Sequence, residues 1–316
     1  MTRQQQQLRG SITTDVMLTV LELTQQNITP QKLASRRFPM EFLCEFANAV
    51  MDEETGDMLE YRQLLKRPKY RDTWSKAFGK EIGRLAQGQK DVVEGTNCIF
   101  FIPANEVPPE RKKDITYVRI CANHRPEKED PNRIRITLGG NLVNYPGDCG
   151  TRTADLLTVK LLLNSVISTP NAKFMSLDIS NFYLMAPMTR YEYVRMKLED
   201  FPEDIIEEYN LRAIATKDGT VIAECRRCIY GLPQAGILAN RYLKKRLNEN
   251  GYYQSNYTNG LWMHKSRPIQ FALCVDNFGV KYINDADVEH LRTALTADNP
   301  ETGKPMFEVT MDSAGK

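Results

Sequence analysis

The chain has 316 residues, with 42 Lys and Arg against 40 Asp and Glu, so its formal net charge is only +2. A charge this close to zero excludes a protein that binds nucleic acid over its whole surface, and any such site must be local. No apolar run reaches the roughly 18 residues of a membrane span and no signal peptide is visible, so we expect a cytoplasmic or nuclear protein, not secreted and not in a membrane, with its seven cysteines reduced.

The N-terminal part is polar. Residues 1–69 are weakly periodic and include an acidic stretch at 51–60, which predicts a linker or extension with short helices. A helix is predicted from Asp72, which can cap it, to Gly88, which can end it. Four apolar residues share one face of this helix: Trp74, Phe78, Ile82 and Leu85.

Residues 97–143 have the character of strands, with "NCIFFIP", "TYVRICA" and "NRIRITLGGNL" separated by prolines. In the third strand Arg133 and Arg135 share one face, from which both could reach a triphosphate. The alternative, a solvent-facing edge strand, is equally compatible with the pattern. A helix over 153–168 follows, with Leu156, Val159 and Leu163 on the same face.

The second half alternates strands and helices. "KFMSLDIS", "EYVRMKL" and "TVIAECRRCIY" are strand-like, a helix is predicted over 235–249, and "LWMHK", "RPIQFALCV" and "FGVKYI" form antiparallel hairpins. A helix over 285–296 precedes a polar tail. Helices interleaved with antiparallel hairpins predict an α+β fold.

Two aspartates end apolar strands. Asp178 lies on the face of its strand opposite Met175 and Leu177. Asp276 ends its own strand and begins a turn that the pattern assigns to Asp276 and Asn277. If the strands are neighbours, the two carboxylates repel each other unless a cation such as Mg²⁺ bridges them, which suits phosphoryl transfer. The alternative is that both are ordinary turn residues.

A basic stretch runs from 225 to 246, with six Lys and Arg and no acids. It is a candidate for phosphate binding through Arg241, Lys244 and Lys245. The glycines of "YGLPQAG" let a backbone approach a ligand, and Gln234 could hydrogen-bond a base or sugar. A solvated basic helix face is the alternative.

Several of these segments occur in a recognisable order. "LDISNFYLMAPM", "YGLPQAG" and "CVDNFGVKY" resemble motifs A, B and C of reverse transcriptases, while "WSKAFGKEIGRLAQG", "EGTNCIFFIP" and "RIRITLGGNLVNYPGD" resemble the copia-type retrotransposon version. The resemblance implies fingers and palm over 70–295, and a truncated start of the thumb over 296–316. It also implies a fragment of a longer polyprotein, in a retrotransposon particle or in the nucleus.

The resemblance also implies roles. Asp178 and Asp276 would be catalytic metal ligands for two Mg²⁺ ions, or Mn²⁺ in their place, with the backbone of Ile179 beside them. Four side chains would contact the incoming deoxynucleotide: Tyr183, Gln234, Arg133 and Arg135. The partners would be an RNA or DNA template-primer and dNTP, and the sequence does not indicate an oligomeric state.

The chain departs from the family pattern at Asn277, which occupies the position of the second motif C aspartate. An amide carries no charge to offset a divalent cation. We therefore expect an RNA-directed DNA polymerase domain impaired by Asn277 and by the missing thumb, or an inactive relic that retains at most nucleic-acid binding.

Overall fold

The structure, a computed structural model, describes residues 49–126, 128–299 and 303–313. In these ranges the helices are α1 (Tyr61–Lys66), α2 (Pro68–Leu85), α3 (Leu156–Ser168), α4 (Phe182–Met185), α5 (Glu203–Glu208), α6 (Leu211–Ile214), α7 (Ala235–Glu249) and α8 (Asp285–Thr296). The strands are β1 (Val50–Met51), β2 (Met58–Leu59), β3 (Gly88–Gln89), β4 (Val93–Glu94), β5 (Ile99–Ile102), β6 (Thr116–His124), β7 (Asn132–Leu138), β8 (Lys173–Ser180), β9 (Pro187–Lys197), β10 (Thr220–Arg227), β11 (Tyr252–Gln254), β12 (Leu261–His264), β13 (Gln270–Cys274), β14 (Asn277–Tyr282) and β15 (Glu308–Ser313). Short 3-10 turns occupy Ala104–Glu106, Pro109–Asp114, Gly140–Leu142 and Leu198–Asp200.

Two large sheets organise the described residues. A five-stranded sheet has the order β5-β10-β9-β6-β7, and a six-stranded sheet has the order β11-β12-β13-β14-β8-β15. Neighbouring strands are antiparallel except β6 and β9, which are parallel. Together with the helices, these sheets confirm the predicted α+β class.

Helix α2 begins four residues before the predicted start. Pro68 occupies its first turn, where a fixed φ and a missing N–H cost nothing, so Asp72 lies inside the helix and does not cap it. The predicted apolar face is buried, including Trp74 and Phe78.

Residues 49–69 belong to the core rather than to a peripheral linker. Leu59, Tyr61 and Leu64 are buried with the residues of both large sheets. The Tyr61 hydroxyl donates to the Asp200 carbonyl at 2.8 Å, and Arg62 binds both oxygens of the Asp200 carboxylate at 2.7 Å. The boundary predicted at residue 69 therefore falls inside the core. Residues 1–48 lie outside the described residues, and for them the linker stays a prediction.

The segment predicted as a polar tail contributes a strand. β15 pairs antiparallel with β8 at the edge of the six-stranded sheet, and Phe307 just before it is buried. Phe307, Val309 and Met311 alternate with polar residues, a short signal of a half-buried strand.

The six-stranded sheet has an apolar face and a polar face. Met175, Leu177 and Ile179 of β8 are buried on the apolar face, which α7 and α8 cover. Ser176 and Asp178 lie on the polar face, where α3 also packs.

The orientation of α3 differs from the prediction. Leu162 is buried against Ala272 and Val159 of the predicted face packs beside them, whereas Leu156 and Leu163 of that face are 68% and 39% exposed. The helix has apolar residues on most of its circumference, so periodicity alone does not identify the side that packs.

Candidate active site

The hairpin that joins β13 to β14 carries Asp276 at its tip. Cys274 pairs with Asn277, so the two turn residues are Val275 and Asp276, and the predicted turn at Asp276 and Asn277 is wrong by one residue. Val275 has a φ of 61°, a conformation that is rare for a β-branched residue. Asn277 is consequently the first residue of β14.

This register brings the two aspartates together. The Ile179 N–H donates to the Asp276 carbonyl at 3.0 Å, and Asn277 is the direct partner of Asp178 on the neighbouring strand. Hydrogen-bonded and non-hydrogen-bonded pairs alternate along an antiparallel ladder, so Asp178 and Asn277 form a non-hydrogen-bonded pair, whose side chains lie closest. Both side chains therefore lie on the polar face of the sheet.

Among the described residues, no cationic side chain forms an ion pair with Asp178 or Asp276. Burial raises the pKa of Asp178, and the negative charge of Asp276 raises it further. The amide nitrogen of Asn277 donates to Asp276 Oδ1 at 2.9 Å. Within the described part of the chain, no group of three or more His, Cys, Asp or Glu is arranged to hold a metal ion. The acidic donors here are two carboxylates, a set that fits one hard cation completed by ligand oxygens.

Aromatic rings extend the site towards the five-stranded sheet. Burial and the charge of Asp276 raise the pKa of Tyr183, in the short helix α4 that follows β8. The Tyr183 ring meets Tyr230 edge-on, with centroids 5.1 Å apart. The guanidinium of Arg135 lies over the Tyr230 ring, 5.4 Å from its centroid. Tyr230 thus connects two residues that the sequence singled out separately.

Close backbone packing holds Tyr230 in place. Gly231 has a φ of 94°, and a Cβ there would lie 2.2 Å from the Leu138 carbonyl oxygen. The Leu138 N–H donates to the Tyr230 carbonyl at 2.8 Å. Only glycine allows the turn after β10 to approach β7 this closely.

Arg133 lines a cavity of about 270 Å³ between α2, the β6–β7 turn and Asn181. The cavity is lined by four cationic side chains, Lys80, Arg84, Arg125 and Arg133, and by two carboxylates, Glu81 and Asp130. The two carboxylates are paired with Arg84 and Lys80, each at 2.6 Å.

The other two cations of the cavity, Arg125 and Arg133, form no ion pair with a described residue. Arg125 Nε is buried without a hydrogen-bond partner among the described residues. Burial lowers the pKa of Arg133, and the neighbouring charges of Arg135, Arg125 and Arg84 lower it further. An anion in the cavity would relieve both effects.

Gln234 does not reach this cavity. Its side chain is 0% exposed, and its Nε2 donates to Glu192 Oε1 at 2.9 Å. Arg111 and Arg190 also bind the buried Glu192 carboxylate, at 2.5 and 2.9 Å. Gln234 Oε1 has no partner among the described residues. Contrary to its predicted role, Gln234 in this conformation anchors the "YGLPQAG" turn to an internal ionic cluster.

Arg241, Lys244 and Lys245 lie away from the carboxylates. They are exposed on α7, which covers the apolar face of the six-stranded sheet, whereas Asp178 lies on the polar face. The fold therefore does not bring these three residues together with the rest of the predicted site.

Sequence reasoning missed Arg84, Arg125 and Tyr230. Tyr230 stands in the quoted motif "YGLPQAG", and its position directly before Gly231 was the available signal. Arg84 and Arg125 meet Arg133 only through the packing of α2 on β7, which no local pattern encodes.

No family model matches the chain, and no curated protein matches it. Among the solved structures that match is one of apo telomerase from Candida tropicalis truncated from its C-terminal domain, with a TM-score of 0.42 and 8% identity over 86% of this chain. The match covers 60% of that structure's chain. No helix in the described ranges is both long and apolar enough to cross a membrane.

Proposed function

We propose that the chain is the fingers and palm of a copia-type retrotransposon reverse transcriptase, an RNA-directed DNA polymerase whose activity Asn277 weakens. The observation that carries this proposal is the register that brings Asp178 and Asp276 together at one end of the six-stranded sheet. In this assignment the six-stranded sheet is the palm and the five-stranded sheet belongs to the fingers. The substrates are a template-primer and dNTP.

The carboxylates of Asp178 and Asp276 and the backbone carbonyl of Ile179 would hold Mg²⁺, or Mn²⁺ in its place. The ion supplies neutralisation of charge on the phosphoryl oxygens during nucleotidyl transfer. The raised pKa of Asp178 supports cation binding, because the environment disfavours two uncompensated carboxylates. Two ions are the expectation from the motifs, and the acid that would complete the second site is the one that Asn277 replaces.

The cavity beside Asn181 suits the triphosphate of the nucleotide. Among the described residues Arg125 Nε has no hydrogen-bond partner and Arg133 is crowded by other cations, and guanidinium groups bind phosphate oxygens through paired hydrogen bonds. Tyr183 follows the cavity residue Asn181 by two positions and is close enough to Asp276 for that charge to raise its pKa. There its ring would exclude a ribose 2′-hydroxyl and so favour deoxynucleotides. Arg135 would hold Tyr230 against Tyr183 rather than bind phosphate.

Asn277 weakens this site in two ways. It supplies no negative charge, and its amide donates a hydrogen bond to Asp276 Oδ1, an oxygen that a cation would otherwise take. Loss of one electrostatic element of a transition state commonly costs on the order of 10²- to 10³-fold in rate.

Primer extension on an RNA template tests this proposal. We expect Asn277→Asp to increase the Mg²⁺-dependent rate by about 10²- to 10³-fold over the natural chain. The matched control is Asp178→Asn in the Asn277→Asp background, which should return the rate to background. A natural chain that extends primers as fast as Asn277→Asp would refute the role given to Asn277.

A second candidate is a catalytically inactive relic that binds nucleic acid only. The hydrogen bond from Asn277 to Asp276 favours it, because the pair is already partly satisfied without a metal ion. Its signature would be equal affinity for a primer–template in the natural chain and in Asn277→Asp, with no extension by either.

A further inference from the structure

Arg241, Lys244 and Lys245 form what we call the α7 cationic face. They lie at i, i+3 and i+4, so their side chains are neighbours on the helix surface. All three are exposed, and none takes part in an ion pair or side-chain hydrogen bond with any described residue. Glu249, one turn after Lys245, forms no ion pair with it.

The other three cations of this basic stretch are already engaged. Arg226 pairs with Glu224 at 2.7 Å, Arg227 donates to the Met185 carbonyl at 3.3 Å, and Arg246 donates to the Ala294 carbonyl at 2.6 Å. The run of six charges therefore divides into three that hold the fold together and three that face solvent.

The α7 cationic face points away from the sheet. The buried residues Ala239, Leu243 and Leu247 lie on the opposite side of the helix and pack into the core that includes Leu177 of β8. Asp178 follows Leu177 and faces the other way. The six-stranded sheet thus separates the three cations from the carboxylates.

We propose that the α7 cationic face is a second nucleic-acid surface, which binds the phosphate backbone of single-stranded RNA independently of the carboxylate site. Three unpaired cations on one helical turn match a polyanion, since each phosphate contact releases counterions. α7 presents no exposed large apolar side chain that could anchor a protein partner in the manner of an interface hot spot. The inference rests on the proposed function only in treating the other surface as a primer–template site.

The first experiment measures binding of a labelled 40-nucleotide RNA by fluorescence anisotropy over a series of KCl concentrations. The triple variant Arg241→Glu, Lys244→Glu and Lys245→Glu should bind at least tenfold more weakly. The slope of log K against log salt should fall by about 2, from three contacts at roughly 0.7 each.

The matched control reverses three exposed cations elsewhere, Lys112, Lys113 and Lys217, and so changes the net charge equally. It should leave the salt slope within experimental error. An equal loss in the control would show that only net charge matters and would overturn the proposal. A Gln triple at the α7 positions, which should lower the slope similarly, serves if the Glu triple does not fold.

Independence from the carboxylate site is tested with Cys274, an exposed thiol at the end of β13. A short primer–template duplex should slow its alkylation, measured by peptide mass spectrometry, equally in the natural chain and in the α7 triple variant. Loss of this protection in the α7 variant would mean one continuous site and would refute the proposal.

The two proposals fail differently in these measurements. If the duplex protects Cys274 in neither protein while RNA binding still depends on α7, the proposed polymerase site fails and the α7 surface stands. If the duplex protects Cys274 but the α7 triple variant binds RNA normally, the proposed α7 surface fails and the proposed polymerase site stands.

Discussion

Asp178 is the residue on which the local electrostatics depend. Its carboxyl is partly buried beside the Asp276 carboxylate, and the pKa of Asp178 is raised by burial first and by that charge second. Because the folded pKa lies above the unfolded one, the contribution of Asp178 to stability is present in acid and lost as the pH rises through the folded pKa. At neutral pH a bound cation would recover it.

The repulsion between the Asp178 and Asp276 carboxylates predicts that Mg²⁺ stabilises the natural chain at pH 7. A Mg²⁺ concentration ten times the Kd of the site for Mg²⁺ should add about 1.4 kcal/mol to the free energy of unfolding. Asp178→Asn and Asp276→Asn should each remove most of this gain in thermal unfolding monitored by circular dichroism.

The control for this prediction is Asp312→Asn. Asp312 lies on the same face of the same sheet, on β15 opposite Ser176, and its replacement should leave the Mg²⁺ effect intact. Stabilisation that survives in Asp178→Asn would show that the ion binds elsewhere.

At the scale of elements, the β13–β14 hairpin carries strain at Val275. A β-branched residue in the left-handed region costs on the order of 1–3 kcal/mol. Val275→Gly relieves this, while the greater freedom of glycine in the unfolded chain costs about 0.5–1 kcal/mol. We expect the free energy of unfolding of Val275→Gly to be equal to or higher than that of the natural chain in urea denaturation.

The comparison is Val280→Gly on the same hairpin. Val280 is fully buried in regular β14, so this variant should lose several kcal/mol through the cavity and the added freedom. A loss of more than about 2 kcal/mol in Val275→Gly as well would contradict the strain at the turn.

The elements differ in how far the sequence determines them. The alternation in β8 correctly predicts that Asp178 opposes Leu177, because a strand's two faces are set by a local period of two. The position of the hairpin turn is not set by a local period of this kind. Its register depends on the pairing of β14 with β8, so the sequence of the turn alone favours the more turn-like Asp276 and Asn277 over Val275 and Asp276.

Placement of elements against one another is also beyond a local pattern. The inward side of α3 is fixed by Leu162 meeting Ala272, although other leucines of the helix are equally apolar. The candidate site shows the same limit. Asp178 and Asp276 are predictable from strand ends, whereas the meeting of Arg84 with Arg133 and the position of Lys244 across the sheet require the assembled layers.

At the scale of the whole molecule, stability should depend on pH through His290. Its ring lies 5.1 Å from the His264 ring, and Tyr252 Oη lies 3.0 Å from His290 Nδ1. Burial lowers the pKa of His290, and the charges of Arg267 and His264 lower it further. The unfolded chain then binds the proton more readily, so stability is full above pH 6.5 and is lost as the pH falls towards the folded pKa.

We therefore expect the urea concentration at the unfolding midpoint to decrease as the pH is lowered from 7 to 5. His290→Gln should make that decrease smaller. Arg267, Asp287 and Tyr252 surround the ring and stay unchanged in the variant. His124→Gln, at an exposed position on β6, is the matched control and should keep the full dependence. An identical pH profile for His290→Gln would exclude His290 as its source.

The pairing of β15 with β8 has a consequence for handling the protein. β8 is an interior strand only because residues 308–313 cover one side of it. A version cut before Glu308 would expose the N–H and C=O groups beside Asp178 as an open sheet edge, where another chain can add a strand. Shortened versions should thus self-associate through the strand that carries the candidate metal ligand, and an absence of primer extension by such a version would then reflect aggregation rather than chemistry.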